Sequence, residues 1–229
     1  MRLRTSPGDR EITRLEGFSD AIFGFALALL VVSVEVPGTY AELMNTMRGF
    51  GAFACCFAII SWIWYEHNLF FRRYGLQDGY TTFLNIILLF VVLFYVYPLK
   101  FIFTMLLGGI FGATRPAGSA TYVDGASLML IYSAAVFVLF LIFALLYWHA
   151  LRQSREQLKL DALGSFDART GMWRHLLTAV IALGSIAIAL LLPGRADWAG
   201  MIYFLLGPLH MLFGFARGNR RERLARVAA

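Results

Sequence analysis

The chain has 229 residues, of which 59% are hydrophobic and only 15% are charged, and its mean hydropathy is +0.68. Soluble domains are about 45–50% apolar and about 25% charged, so this composition excludes a soluble globular protein and indicates an integral membrane protein. The formal net charge is +6. Because the basic residues lie in short segments between apolar runs, we interpret them as topology signals and expect no nucleic acid as a partner.

Six apolar segments follow one another along the chain, each long enough to cross a bilayer core of about 30 Å as a helix. They cover residues 18–36, 49–71, 80–107, 125–150, 175–193 and 198–216. We therefore predict an all-α membrane protein with one six-helix transmembrane domain over residues 1–229. Residues 217–229 would form a basic cytoplasmic tail. The polar segment 151–174 would be the largest loop, with a short surface helix over residues 155–163.

The basic residues are distributed very unevenly about these six segments. Sixteen of the twenty lie on one side: Arg2, Arg4, Arg10, Arg14, Arg72, Arg73, Arg152, Arg155, Lys159, Arg169, Arg174, Arg217, Arg220, Arg221, Arg223 and Arg226. The other side holds Arg48, Lys100, Arg115 and Arg195. Since cytoplasmic loops carry an excess of lysine and arginine, the pattern predicts that both termini are cytoplasmic.

The first segment has two apolar stripes when it is drawn as a helix at about 100° per residue. The bulky stripe contains Phe18, Ile22, Phe25, Leu29, Val32 and Val36. The neighbouring stripe contains the small residues Gly17, Ala21, Gly24 and Ala28, which allow another helix to approach closely. Two interpretations stay open on this pattern: an ordinary first span packed inside a bundle, or a helix whose bulky stripe faces a pore.

Several polar residues lie near the predicted cytoplasmic ends of the first three segments. Asp20 is near the start of the first, Glu66 and His67 are near the end of the second, and Asn85 is early in the third. Ionisable groups at membrane depth are costly and often functional. They predict either a hydrated boundary or a hydrogen-bonded network that includes Trp64 and joins the second span to the start of the first.

No catalytic or cofactor motif stands out in the sequence, so we expect neither an enzyme nor a bound cofactor or metal. Glu66 and His67 lack the HExxH spacing of a zinc protease. There is also no TVGYG-type segment that could form a carbonyl filter for potassium. Glu35, at the outer end of the first segment, is either a carboxylate that concentrates cations at a pore mouth or an exposed interfacial group.

The sequence around the first segment resembles the transmembrane-protein-175 family of potassium channels. Its RxxxFSD signature is present here as Arg14, Phe18, Ser19 and Asp20. Trp64 and His67 are similar to the family's WxxHH element, while Asn85 and Pro98 match an asparagine and a proline of its third span. The resemblance covers residues 14–100 and rests on span count and polarity beyond them.

The resemblance implies a prokaryotic, single-repeat member that assembles as a homotetramer, with the first helix of each chain around a central pore. It implies that Arg14, Ser19, Asp20, Trp64, His67 and Asn85 brace this helix, together with Phe18. The narrowest ring would be Phe25, followed by Leu29 and Val32. The chain departs from the family pattern at Phe25, where leucine or isoleucine is usual, at Ala28, where threonine is frequent, and at Asn68, which replaces a second histidine.

From these patterns we expect a passive cation channel in a prokaryotic plasma membrane, with potassium as the permeating ion and an apolar constriction instead of a carbonyl filter. Two other functions remain open. One is a proton-coupled transporter that uses Asp20, Glu66 and His67 as a relay. The other is a non-conducting oligomeric scaffold, in which the small-residue stripe serves assembly alone.

Overall fold

The computed structural model of the chain describes residues 12–32, 37–111, 125–153 and 160–228. Within these ranges the regular structure is entirely helical. The α-helices are α1 (Arg14–Val32), α2 (Tyr40–Arg48), α3 (Phe50–Tyr74), α4 (Gly79–Phe111), α5 (Gly125–Gln153), α6 (Ala162–Leu191), α7 (Ala196–Met201) and α8 (Leu206–Ala228). Two short 3₁₀ turns, Pro193–Arg195 and Ile202–Leu205, flank α7.

Local sequence signals explain where several helices begin and end. Thr13 and Glu16 form a capping box at the start of α1, in which each side chain accepts a hydrogen bond from the other residue's backbone N–H. Asp161 caps α6 by accepting from the N–H of Gly164. α3 ends at Tyr74 and is capped by Gly75, whose left-handed φ of 60° favours a residue without a Cβ.

Within the described ranges, four helical segments are long and apolar enough to cross a membrane: Gly79–Leu107, Gly125–Gln153, Ala162–Leu191 and Pro193–Leu224. A fifth candidate is the pair α2 and α3, which meet at a bend of 44°. The chain is therefore a multi-pass membrane protein. The first predicted segment is helical as α1, but its residues 33–36 lie outside the described part of the chain. The count of six spans thus stays a prediction.

Two predicted boundaries were wrong. α6 begins at Ala162, so much of the polar segment 151–174 is helix rather than loop, because Asp161 caps a stretch that contains no proline. Of the predicted surface helix, residues 155–159 lie outside the described ranges, Leu160 and Asp161 are not helical, and the last two residues belong to α6. The segment 198–216 is divided among α7, a 3₁₀ turn and α8, and α8 continues through the basic tail to Ala228.

The helices form two groups. One contains α1, α3 and α4, and the other contains α5, α6, α7 and α8, while α4 also packs against α5. α5 and α6 lie closest of all, since a Cβ on Gly171 would come within 2.3 Å of the Tyr147 ring. The buried core runs through both groups and includes Phe23, Leu88 and Phe143. α1 thus packs against α3 and α4 at the periphery of the helical bundle.

Candidate functional site

Three buried polar side chains connect α1, α3 and α4. The Ser19 hydroxyl donates to the carbonyl of Leu15 at 2.8 Å and accepts from Asn85 Nδ2 at 2.9 Å. The Asn85 Oδ1 lies 2.8 Å from His67 Nε2. Because an amide oxygen can only accept, His67 must carry its proton on Nε2 to form this bond. The chain of bonds thus couples the orientations of the three side chains to one another.

A second hydrogen bond joins α1 to α3 nearer the surface. The indole N–H of Trp64 donates to Asp20 Oδ1 at 2.8 Å. Both side chains are partly accessible. The sequence suggested one network of Asp20, His67, Trp64 and Asn85. The structure instead has two separate contacts, one buried and one peripheral.

The other two residues of the expected network, Arg14 and Phe18, lie on the exposed side of α1. Arg14 is the first residue of the helix. The described part of the chain therefore places Arg14 and Phe18 at the same end of α1 as Ser19 and Asp20, but outside both hydrogen-bonded contacts. The capping box of Thr13 and Glu16 was missed in the sequence, although T-x-x-E before an apolar run is its usual signal.

The exposed and buried faces of α1 do not coincide with the bulky and small stripes that the sequence predicts. All four small residues, Gly17, Ala21, Gly24 and Ala28, are exposed in the single chain. Phe25 is 57% exposed beside them. Ile22 and Leu29, from the bulky stripe, are instead half-buried against the core. The small stripe and Phe25 therefore share the outward face of α1.

Two predicted pore residues cannot be assigned to a face. Val32 is the last residue of α1, but its side chain lies outside the described part of the chain, as does the whole of Glu35. Near this end of α1, Lys100 of α4 donates from Nζ to the carbonyl of Leu30 at 3.2 Å. The sequence pattern places Lys100 among the outer basic residues and predicts no contact for it. Its position inside an apolar run was the available signal for such a contact.

Glu66 faces away from α1 and belongs to a different contact. Its carboxylate forms an ion pair with Arg174 of α6, and its Oε2 lies 3.7 Å from His175 Nε2. Glu66, His67 and Asp20 therefore bond to three different partners: Arg174, Asn85 and Trp64. Among the described contacts, no direct hydrogen bond joins Asp20, Glu66 and His67 to one another.

Comparison with known proteins gives matches along nearly the whole chain. The family model described as endosomal/lysosomal potassium channel TMEM175 matches residues 14–95, from α1 into α4. A potassium channel of Marivirga tractuosa is 39% identical over 226 residues, which is 94% of this chain and 91% of that protein. A potassium channel of Streptomyces collinus is 28% identical over 148 residues, 62% of this chain and 66% of that one.

Two crystal structures are similar to the chain. A variant of the potassium channel MtTMEM175, crystallised with a nanobody–MBP fusion, has a TM-score of 0.80 at 39% identity and covers 96% of this chain and 99% of its own. A lysosomal potassium-selective channel TMEM175 homologue from Chamaesiphon minutus has a TM-score of 0.59 at 19% identity, covering 89% and 96%. The second likeness concerns the fold alone. With relatives so similar over almost their full lengths, the chain belongs to the TMEM175 family.

Proposed function

We propose that the chain is a passive, potassium-conducting channel, a homotetramer whose fourfold pore is lined by α1. It would have six spans, both termini in the cytoplasm, and a place in a prokaryotic plasma membrane. The observation that carries the proposal is the division of α1 into two faces. The inner face is held by hydrogen bonds to α3 and α4, and the outer face presents Phe25 and four small residues.

The outer face of α1 suits close contact between helices in an assembly. A Cβ added to Gly17 or Gly24 would meet no atom within 4 Å in the single chain. Small residues at this spacing let neighbouring helices approach closely in lipid. Four copies of α1 would then surround an axis, with Phe25 at its narrowest point and Val32 further along, whereas Leu29 packs partly against the core of its own chain. Glu35 would lie at the outer mouth and attract cations.

The proposed constriction would control conduction by dewetting. A ring of bulky apolar side chains excludes water when it is narrow, and an ion that cannot keep its hydration shell does not cross. Potassium is then the permeating species and not a cofactor. Selectivity would arise from partial dehydration at this ring and not from backbone carbonyls.

The buried contacts at the start of α1 would fix the direction in which Phe25 points. Successive side chains are about 100° apart around a helix, so the rotation of α1 about its axis decides which of them face the pore. A rotated α1 would turn Phe25 away from the pore. Ser19 and Asp20 are held from two neighbouring helices at once, by Asn85 and Trp64. We assign Arg14 and Phe18 to the same bracing region as a part of this proposal.

The test is ion flux in proteoliposomes that contain the purified protein, with potassium and then sodium gradients. We compare the wild type with Phe25→Ala and with Phe90→Ala, a matched control on α4 whose side chain is 69% exposed. Truncation of Phe25 should raise potassium flux by roughly tenfold, because the apolar ring is widened. Phe90→Ala should leave the flux unchanged.

The outcomes separate the competing functions. Potassium-preferring flux that rises only in Phe25→Ala supports both the pore and its constriction. Silence of all three proteins, while they remain folded and tetrameric, would favour the scaffold. Flux that is equal in all three proteins would keep the channel but remove Phe25 from its narrowest point.

A further inference from the structure

A cavity of about 460 Å³ lies on the side of α3 that faces away from α1, between α3, α5, α6 and α8. This volume is within the range of about 300–1,000 Å³ for small-molecule sites. Aromatic rings of Trp62, Phe140, Phe166 and Phe213 form its apolar walls. Glu66, next to His67 in the chain, also lines it. The cavity therefore lies at the same end of the bundle as the hydrogen-bonded start of α1.

The charges that line the cavity leave a positive excess. Glu66 is paired with Arg174, and Asp167 is paired with Arg221 and also with Arg73 from the end of α3. Arg217 makes no ion pair with any described residue. Its guanidinium lies instead 5.4 Å from the ring centroids of both Phe166 and Phe213. A planar arginine held in this way is suited to bind a phosphate with two hydrogen bonds.

A second observation points to a ligand. The His175 side chain is only 2% exposed and lines the cavity, yet its Nε2 has no hydrogen-bond partner in the described part of the chain. The 3.7 Å to Glu66 Oε2 is too long for a hydrogen bond. Buried polar atoms are nearly always satisfied by protein, water or ligand. A ligand oxygen or a water in the cavity would supply the missing hydrogen-bond partner of His175 Nε2.

We propose that this cavity binds one anionic phospholipid per chain, with the lipid phosphate at Arg217 and an acyl chain against the aromatic walls. The headgroup of such a lipid would contact the arginines at the rim, and its acyl chain would cover the aromatic rings. Free phosphate would bind the arginines but leave these rings in contact with water. With the topology proposed above, the cavity opens in the cytoplasmic leaflet, where anionic lipids attract basic segments.

The proposed lipid would hold α8 against the rest of the bundle. α8 contacts α6 but has little other contact with the bundle, and most of its residues are exposed. Arg221 already joins α8 to Asp167 of α6 by two hydrogen bonds, of 2.9 and 3.1 Å. A ligand shared by α3, α6 and α8 would add a second connection beside it.

The test is native mass spectrometry of the purified, intact assembly in neutral detergent, titrated with phosphatidylglycerol, phosphatidylcholine or inorganic phosphate. We compare the wild type with Arg217→Gln and with Arg220→Gln, which removes the same charge from an exposed position on α8 outside the cavity. We expect saturable binding of phosphatidylglycerol, weakened about tenfold by Arg217→Gln and unchanged by Arg220→Gln.

A second pair of variants tests the cavity without changing any charge. Gly214 lines the cavity, and a Cβ at this position would meet no atom within 4 Å. Gly214→Leu should therefore occupy part of the cavity and weaken binding of phosphatidylglycerol. Gly207→Leu is its control, because Gly207 has equal space but lies on α8 outside the cavity.

Three results would overturn the proposal. Equal binding of phosphatidylglycerol by all variants would mean a nonspecific lipid shell, and absence of binding would mean no lipid site. Binding of inorganic phosphate that depends on Arg217 and displaces phosphatidylglycerol would assign the cavity to free phosphate. Each of these results is independent of ion flux, so the lipid site and the channel can fail separately.

Discussion

Glu66 and His67 are neighbours on α3, but they face two different polar environments. A rotation of about 100° between successive residues separates them. His67 faces α1 and α4 and bonds to the neutral amide of Asn85. Glu66 faces α6 and bonds to the charged guanidinium of Arg174. Both side chains are buried, so the difference lies in the charge of the partners and not in exposure.

The two sides of α3 stabilise the chain in different ways. Amide, hydroxyl and imidazole groups cost less to bury than ions, and their bonds are directional, which suits a contact that has to fix the rotation of α1. A buried ion pair costs much more to desolvate, and removal of one partner leaves the other charge uncompensated. Single substitutions on the charged side should therefore lower the free energy of unfolding more than those on the neutral side. The two partners of the ion pair should also differ from each other in how much their loss costs.

Loss of Arg174 should have the largest effect. The side chain of Glu66 is only 4% exposed, whereas that of Arg174 is 35% exposed. We expect Arg174→Leu to lower the free energy of unfolding by about 3–5 kcal/mol, because it leaves a buried carboxylate without its partner. Glu66→Gln should cost much less. Thermal unfolding in detergent measures both, with Arg169→Leu as an exposed control on α6. Equal losses for the two pair variants would contradict the asymmetry.

On the neutral side of α3, Asn85 is the residue whose loss should matter most. Asn85→Ala removes the partner of both Ser19 and His67 at a fully buried position. We expect a loss of about 1–3 kcal/mol in the free energy of unfolding, since His67 Nε2 loses its partner and Ser19 keeps only its bond to Leu15. Asn68→Ala, at a half-buried position on α3, is the matched control. An equal shift in melting temperature for the two variants would show that the buried chain of bonds adds no stability.

The helices and the residues that meet at the start of α1 could largely be predicted from the sequence. Long apolar runs coincide with α4 and α5 because a helix satisfies the backbone hydrogen bonds of a membrane span, and Pro98 lies inside α4 without ending it. The polar residues of the first three segments were expected at one depth, and Ser19, Asn85 and His67 do lie within hydrogen-bond distance. Their bracing role stays a proposal.

The charged side of α3 could not be predicted in the same way. Glu66 and Arg174 are 108 residues apart in the chain, and their meeting depends on how α3 and α6 are rotated and packed. Hydrophobic periodicity gives little help, because these helices are apolar on nearly every face. For the same reason the helical pattern of α1 predicts Ile22 and Leu29 on one face with Phe25. In the structure, both contact the core.

The peripheral bond of Trp64 should contribute less than the buried one. Trp64→Phe removes the indole N–H that reaches Asp20, together with the smaller ring of the indole, at a residue that is 38% exposed. We expect a loss of about 0.5–1.5 kcal/mol, the usual net value of one hydrogen bond. Trp173→Phe, at a similarly exposed position on α6, is the control. A loss as large as that of Asn85→Ala would mean that the peripheral contact, and not the buried one, is the main support of α1.

Asp78 lies in a hydrogen-bonded cap at the start of α4, and its substitution should give the smallest effect. It precedes α4 and accepts from the N–H groups of Tyr80 and Thr81, from the Thr81 hydroxyl and from His149. Partial burial raises the pKa of the Asp78 carboxyl, but the hydrogen bonds from Thr81 and His149 outweigh it, and the pKa lies below its ordinary value of 3.8. The ionised form is therefore the one that the fold favours.

The effect of Asp78 on stability should depend on pH. A carboxyl whose pKa is lowered by folding stabilises the folded state fully above its ordinary pKa, and this contribution is lost as the pH falls through the lower, folded-state value. Asp78→Asn keeps an acceptor for the cap but removes the charge, so it should cost about 0.5 kcal/mol at pH 7 and almost nothing below the folded-state pKa. Melting temperatures of wild type and variant across this range measure the difference. A gap that stays constant with pH would show that Asp78 acts only as a neutral cap, and that the contrast between ionic and neutral contacts does not extend to this end of α4.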